Sequence, residues 1–508
     1  MMDHYGYSDE VRKTIERERL LPTALLSRLQ ANHPAQSGFI RTREFMFTQR
    51  KRYAGIEGFR SIVETLRKRG IGIGHLEERE LFIRVYRFMA TDHVLNAINW
   101  DDFENDPLFS LVFPQPGMIR KDTEDAYLAA ETEEERQEIV DGYMAKTNPH
   151  GCNQLLNKPW FEDSEGRVEF VEGSQHKYPQ CALVFDSTTQ DCFAFCTYCF
   201  RHAQVRGDED MFCQRDPGQV LQYLKLHPEA TDILITGGDA GFMPVERLRE
   251  YVVPIMEDPD LRHVRTVRLG TRMLTYLPEM VLSHDYDEML ELFDTMYDNG
   301  VQLAWMAHFS TPREVLNPST IAAVRRLQRH HVTMRSQSPM MDHVSLFRDG
   351  AGRVDVDRTA ENWVSLALVL GTMHIGFHSM YLARPTGEHH YFTTPLADVA
   401  KIADKIHRDL ASIYRPSRYI SMTSSAGKIS LLGTVEVNGE RAFALKFTQG
   451  RNMEWMDGVF LAKYDEKQCS IDKLEPLEGR EFFFRQDQRD IEASLLKALE
   501  GRKFAGDE

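Results

Sequence analysis

Between residues 182 and 382, short apolar runs take turns with amphipathic stretches. The apolar runs are ALVF from 182, ILIT from 233, VRTVRL from 264, VQLAWMAH from 301, VTMRS from 332 and IGFHSMYL from 375; between them lie VERLREYVVPIME, YDEMLELFDTMYDNG and IAAVRRLQRH. The first set has strand length and β-branched content, and the second repeats its apolar residues at helical spacing. Asn299-Gly300 supplies a helix stop ahead of a strand, and Asn317-Pro318-Ser319-Thr320 a helix start. Strand–helix units repeated in this way predict an α/β fold with a parallel sheet, open or curled into a full or partial barrel. Functional residues would gather at the carboxyl ends of its strands.

The flanks read differently. From about residue 10 to 150 the pattern is mostly helical and highly charged, with ETEEERQEIVDGYMAK the clearest helix, and a polar passage, FEDSEGRVEFVEGSQHKYPQ, leads out of it. The last ~80 residues return to strands in a hairpin, ISLLGTVEVNGERAFALKF, with Asn438-Gly439 at its turn, and close on a charged helix. The expected division is a mainly helical N-terminal region over 1–175, the strand–helix body over 176–424 and a β-rich extension over 425–508.

Composition narrows the partners. A chain of 508 residues, 42% hydrophobic, can bury a large core. Its formal charge of −16, with no long Lys/Arg cluster, argues against nucleic acid or an anionic membrane as partner. No run approaches the roughly 18 apolar residues of a membrane span. The N-terminus MMDHYGYSDEVRKTIERER is polar rather than signal-like, so a cytoplasmic location is expected. Self-association into a homo-oligomer is left open.

The chemistry starts from cysteine. Of seven cysteines, Cys192, Cys196 and Cys199 fall within eight residues, in Asp191-Cys192-Phe193-Ala194-Phe195-Cys196-Thr197-Tyr198-Cys199. A tight triad in a reducing compartment reads as a metal or cluster site. Three thiolates on one loop can hold three irons of a 4Fe-4S cluster, leaving the fourth iron open to a small molecule. A structural zinc site would need a fourth ligand, for which His202 is available.

The C-x3-C-x2-C spacing, with the aromatic Tyr198 before the last cysteine, resembles the signature of the radical S-adenosylmethionine (SAM) superfamily. The likeness continues over more than 200 residues toward the lysine 2,3-aminomutase family. It runs through His176-Lys177-Tyr178-Pro179, Cys199-Phe200-Arg201, Thr236-Gly237-Gly238-Asp239, Arg268-Leu269-Gly270-Thr271-Arg272, Ala307-His308-Phe309, Ser336-Gln337-Ser338 and Ala426-Gly427-Lys428, in the family's order.

That resemblance implies a partial (β/α)6-type barrel and a set of roles. The cysteines would hold the cluster, and SAM would chelate its open iron and yield a 5′-deoxyadenosyl radical. Gly237 and Gly238 would pack against the methionine end of SAM, with Asp239 accepting from its ammonium; alone, such a trio is an ordinary strand–helix turn. Arg268, His308 and Gln337 would approach SAM or substrate from strand ends, where a hydrogen-bonded core residue is the bland alternative. Arg201 would grip a substrate carboxylate through paired bonds, rather than form a surface salt bridge. Lys428 matches the lysine that forms an aldimine with pyridoxal 5′-phosphate (PLP); otherwise it is one exposed lysine on a turn. A flavodoxin- or ferredoxin-type protein would be the electron donor.

The chain also departs from the family. Cys181 stands where relatives carry an arginine, and Lys177 where another is usual, thinning the expected phosphate grip. Where lysine-specific relatives place two aspartates, this chain has Ala383 and Ser421, with Arg384 adjoining. A buried ε-ammonium would go unpaired there, so lysine is disfavoured and an acidic or neutral amino acid fits Arg384 better. The three-cysteine zinc site near the C-terminus of some relatives is missing, since Cys469 stands alone there. The leading expectation is a PLP-dependent 2,3-aminomutase acting on an amino-acid-like substrate. Behind it stand a PLP-independent radical SAM epimerase, dehydrogenase or peptide-modifying enzyme and, more remotely, a zinc-binding interaction protein.

Overall fold

A computed structural model describes residues 46–48, 52–147, 157–202, 213–384, 387–500 and 502. The expected N-terminal helical region therefore lies outside the described residues over 1–45.

From 52 to 147 the chain is helical, as its charged periodicity implies, with one addition: β1 (Arg52–Ala54) and β2 (Met89–Thr91) pair antiparallel. Three-residue strands are too short to register as an alternating pattern. A second small ladder joins β3 (Trp160–Glu162) to β4 (Val168–Phe170) inside the polar passage.

The body is one sheet. It runs β5 (Ser174–Tyr178), β6 (Cys181–Phe185), β7 (Asp232–Thr236), β8 (Thr266–Thr271), β9 (Gln302–Ala307), β10 (Thr333–Met340), β11 (Gly376–Leu382), β12 (Ser421–Thr423), β13 (Gly427–Val437), β14 (Glu440–Gly450) and β15 (Val459–Lys463), each beside the next. Strands β6 to β11 are parallel neighbours, one for each apolar run, joined by helices that include Val245–Glu257, Asp287–Asp298 and Pro318–Arg329. Buried residues alternate with half-buried ones along several of them, as in Asp232–Thr236 and Thr266–Thr271, one face packing into the core and the other lining the cavity. Asn317 caps its helix by accepting from Ser319 N at 3.0 Å.

The C-terminal hairpin extends this same sheet: β12 pairs parallel with β11 and antiparallel with β13, and β13 with β14. Asn438 and Gly439, at φ 52° and 82°, make the two-residue turn that their sequence signals. The sheet curls enough to bring β5 against the β12–β13 turn. Lys177 of β5 donates to the Ser424 carbonyl, and Lys428 Nζ of β13 lies 5.9 Å from the Tyr178 ring centre. Among the described residues no helix is long and apolar enough to cross a membrane.

Candidate functional site

The cysteine loop follows β6, and the N-terminal region holds it in place. Phe195 N donates to Met89 O and Thr197 N to Leu111 O, both at 2.9 Å, while Thr197 Oγ1 reaches Ser110 O at 2.7 Å. Arg52 Nη2 pairs with Asp191 Oδ2 at 2.7 Å at the loop's start. Burial raises the Cys199 thiol to about 12, helped by Cys196, and also raises the Cys192 thiol well above its ordinary value, helped by Cys199 and Asp239. The three half-buried cysteines line a shared cavity, where thiolates need a positive partner.

Iron would supply that charge. Among the described residues no three His, Cys, Asp or Glu side chains converge on a single ion, and His202 Nε2 faces the Thr147 carbonyl at 3.2 Å. A cluster ligates each sulfur through a different iron, so it suits thiols spread along one loop better than one zinc does. The donor set fits a cluster with three protein ligands.

Past β7, Gly237 and Gly238 fold against that loop. Gly237 has φ +151°, and a Cβ on it would come within 2.5 Å of Thr189 Oγ1; one on Gly238 would meet the Asp191 carbonyl oxygen at 2.5 Å and Cys192 Sγ at 3.0 Å. Asp239 is buried, accepting from Gly241 N and Arg272 N at 2.8 Å each. Burial outweighs those bonds and lifts its carboxyl to about 6.

The strand ends deliver a different arginine from the one expected. His308 does follow directly on β9, and burial, reinforced by Arg272, pushes its imidazole down to about 3, leaving it neutral beside Gln337. Gln337 and Arg268, however, lie within their strands, Gln337 at a register shift and Arg268 in the first half of β8. Arg268 Nε binds Asp232 at 2.7 Å, and its Nη2 lies 2.8 Å from Cys181 Sγ. The residue one place beyond β8 is Arg272, which donates to the Tyr198 hydroxyl, to Cys196 Sγ at 3.3 Å and to Glu314 at 2.9 Å. The strand-end rule applied to the Arg268–Arg272 block would have singled it out.

Lys428 stands at the other end of the cavity, half-buried. Its Nζ donates to Gln449 Oε1 at 3.0 Å and lies 5.1 Å from the Tyr381 ring centre. Burial would raise the Tyr381 phenol, but Lys428, Ser379 and Arg418 outweigh it and bring it below its ordinary value. Tyr381, Gln449 and Arg418 gave no signal in the sequence. Nearby, burial takes Lys177 down to about 7, with Arg451 and Arg384 adding repulsion. Burial likewise brings Arg201 to about 9, with Arg384 beside it; Arg201 spreads over the Phe185 and Phe200 rings at 4.4 and 5.1 Å. Arg384 lies 5.6 Å from Phe200. Ala383 and Ser421 are both buried.

All of the sequence-selected site residues line one cavity of about 330 Å³, a volume suited to a small-molecule site. Its charge is one-sided: among the described residues, seven cationic side chains line it (Lys177, Arg201, Arg268, Arg272, Arg384, Arg418 and Lys428) against one carboxylate, Asp239. Asp232 and Glu314 answer Arg268 and Arg272 from behind. Asp472 lies near Lys177 and Arg384, and a lining this rich in cations suits an anionic ligand. A lysine facing a cation-rich pocket fits a pyridoxal phosphate group, and the loop thiols fit a cluster.

No family model matches the chain. A provisionally named L-lysine 2,3-aminomutase of Aquifex aeolicus (strain VF5) is 27% identical over 363 residues, covering 71% of this chain and 82% of that protein. The L-lysine 2,3-aminomutase of Clostridium subterminale is 27% identical over 37% of this chain and 42% of its own length. The glutamate 2,3-aminomutase of Clostridioides difficile (strain 630) is 23% identical over 42% and 43%. A solved radical SAM methyltransferase from Sphaerobacter thermophilus aligns with 53% of this chain and 73% of its own at 15% identity and a TM-score of 0.32, too loose a likeness to weigh. The motif order, the convergence of those motifs on one cavity and the aminomutase relatives make the chain similar to the lysine 2,3-aminomutases.

Proposed function

We propose that this chain is a radical SAM amino-acid 2,3-aminomutase, an isomerase that moves an α-amino group to the β-carbon of an amino acid other than lysine. One observation carries the reading: the cysteine triad and Lys428 face the same cavity. When bound there, a 4Fe-4S cluster supplies the electron that splits SAM into methionine and a 5′-deoxyadenosyl radical, and PLP supplies a carbonyl to hold the migrating nitrogen and a ring to delocalise spin. The curled run of β6 to β11 is read as the partial (β/α)6 barrel that would carry both.

The chain's own residues would do the rest. Cys192, Cys196 and Cys199 ligate the cluster. Gly237 and Gly238 let this turn pack directly against the cysteine loop beside the methionine end of SAM, and Asp239 accepts from its ammonium. His308 and Gln337 face the same volume, as does Tyr198. Lys428 attaches the pyridoxal group through Nζ, with Gln449 orienting that nitrogen before attachment. Lys177 and Arg268 serve the phosphate end. There Arg268, reaching Cys181 from two strands away, restores a guanidinium that position 181 lacks.

The charge of the cavity selects the substrate. A lysine ε-ammonium would enter a lining of like charge with its usual aspartate positions taken by Ala383 and Ser421, and a buried charge without a partner costs several kcal/mol. Arg201 and Arg384, side by side at Phe200, offer two guanidinium groups to carboxylates instead. An acidic amino acid is the best match.

The test is covalent. Protein loaded with PLP and reduced with borohydride should carry the pyridoxyl mass on the Lys428 peptide and lose it in Lys428→Ala. An unlabelled Lys428 in a protein that still forms 5′-deoxyadenosine would defeat the PLP-dependent reading.

A further inference from the structure

We propose that Tyr276 and Arg272 are positioning residues that hydrogen-bond to the Cys196 sulfur and thereby raise the reduction potential of the cluster held by the cysteine loop. The inference rests on the radical SAM reading above and goes beyond it by assigning which side chains set the electron-accepting strength of the cluster.

Two side-chain donors meet at one sulfur. Tyr276 Oη lies 2.8 Å from Cys196 Sγ and Arg272 Nη1 3.3 Å from the same atom. At Cys199 the donor is instead a backbone group, the Arg201 amide. A free thiol could donate to the tyrosine, but a sulfur bound to iron has no proton left. Once ligated, Cys196 can only accept, and the hydroxyl must be the donor; a guanidinium donates in either case.

Both donors are locked in place. Tyr276 closes the short helix Met273–Tyr276 directly after β8, is 1% exposed, and its carbonyl accepts from Thr91 Oγ1 of β2. Arg272 is held by Glu314 Oε1 at 2.9 Å and Ser310 Oγ at 3.0 Å, and Glu314 is itself fixed by the Thr311 amide at 2.8 Å. Neither donor has to be recruited when the cluster changes charge.

The electron count gives the sign. A low-potential one-electron donor, dithionite in the assay or a flavodoxin- or ferredoxin-type protein in the cell, takes the cluster from its 2+ to its 1+ core; no bond is made or broken and no proton moves. The added negative charge spreads onto the sulfurs, where hydrogen-bond donors stabilise the reduced state more than the oxidised one. Burial of the loop works in the opposite direction, so the two donors offset the penalty of placing a charged cluster in a dry pocket.

The experiment compares wild type with Tyr276→Phe, both reconstituted anaerobically and matched for iron, sulfide and circular dichroism, in redox titrations followed by electron paramagnetic resonance (EPR) without SAM. At the wild-type midpoint, the reduced-to-oxidised ratio in the variant should fall about 10-fold, a shift of ~59 mV to more negative potential for a one-electron couple. Arg272→Lys, which keeps the charge but loses the fork, should move in the same direction and decides the matter if the Phe variant fails to load. Equal midpoints in proteins whose cluster signal SAM still perturbs would overturn the inference and leave the radical SAM reading standing. A wild-type protein that takes up no cluster would overturn both.

Discussion

The Gly237-Gly238 turn gives the sharpest structural handle on the site. In Gly238→Ala the new methyl would sit 2.5 Å from the Asp191 carbonyl oxygen, 2.9 Å from its carbon and 3.0 Å from Cys192 Sγ. Comfortable carbon contacts lie at ~3.5–4.0 Å, so the turn and the cysteine loop must part by ~1 Å. Neither side yields easily: Gly238 N and Asp239 N both donate to the Thr189 carbonyl, at 2.8 and 3.1 Å, and the loop is tied to the N-terminal region through Phe195 and Thr197. Overpacking of this kind costs about 1–3 kcal/mol in stability. A displacement near 1 Å between reacting groups costs ~10²-fold in rate. The variant should therefore bind iron poorly or form 5′-deoxyadenosine from SAM ~100-fold more slowly, measured by chromatography after anaerobic reconstitution. Gly270→Ala, also facing the cavity but with its nearest neighbour at 3.4 Å, is the control and should stay near wild type. A Gly238→Ala protein with full iron content and unaltered SAM cleavage would refute the reasoning.

Three further outcomes follow from the same structure. Lys177, held near 7, is cationic below that value and neutral above it, so pyridoxamine 5′-phosphate, which forms no imine, should bind more tightly at pH ~6.5 than at ~8.5. Calorimetry checks this, and Lys177→Met should flatten the dependence. Because the folded protein holds fewer protons on Lys177 than the unfolded chain does between about 7 and the ordinary 10.5, this residue adds stability as pH rises through that window. Asp106→Ala should destabilise the fold by about 3–5 kcal/mol: Arg313, 1% exposed and 2.8 Å from Asp106, would be left charged in the interior, and thermal unfolding with limited proteolysis should report it. Gly439→Ala, at φ 82° in the turn at the opposite end of the β13–β14 hairpin from Lys428, should lower the melting temperature slightly and leave SAM cleavage unchanged.

What the sequence made legible follows from how local each signal is. The six strands β6 to β11 could be read because each is a short, mainly apolar run of strand length between amphipathic helices, and the β13–β14 hairpin because Asn438-Gly439 encodes its own turn. The cysteine spacing lies within eight residues and needs no tertiary information. Lys428 could be reached only through the resemblance, since nothing near it in the chain distinguishes it from other lysines; its partners Gln449 and Tyr381 arrive through cross-strand pairing and the curl of the sheet. Tyr276 is 80 residues from Cys196 in sequence, and a buried aromatic in a short helix reads as core. The grip of residues 52–147 on the cysteine loop was illegible for a related reason: it is made largely by backbone groups, such as Met89 O and Leu111 O, which every sequence possesses.

The account depends on one iron of the cluster having no protein ligand. The most direct measurement is EPR of the anaerobically reconstituted, dithionite-reduced protein with and without SAM. A 4Fe-4S signal that changes shape when SAM is added, and that is lost on replacing Cys192, Cys196 or Cys199, is the expected result. A cluster signal indifferent to SAM, or stoichiometric zinc with no iron in protein purified without oxygen, would contradict it.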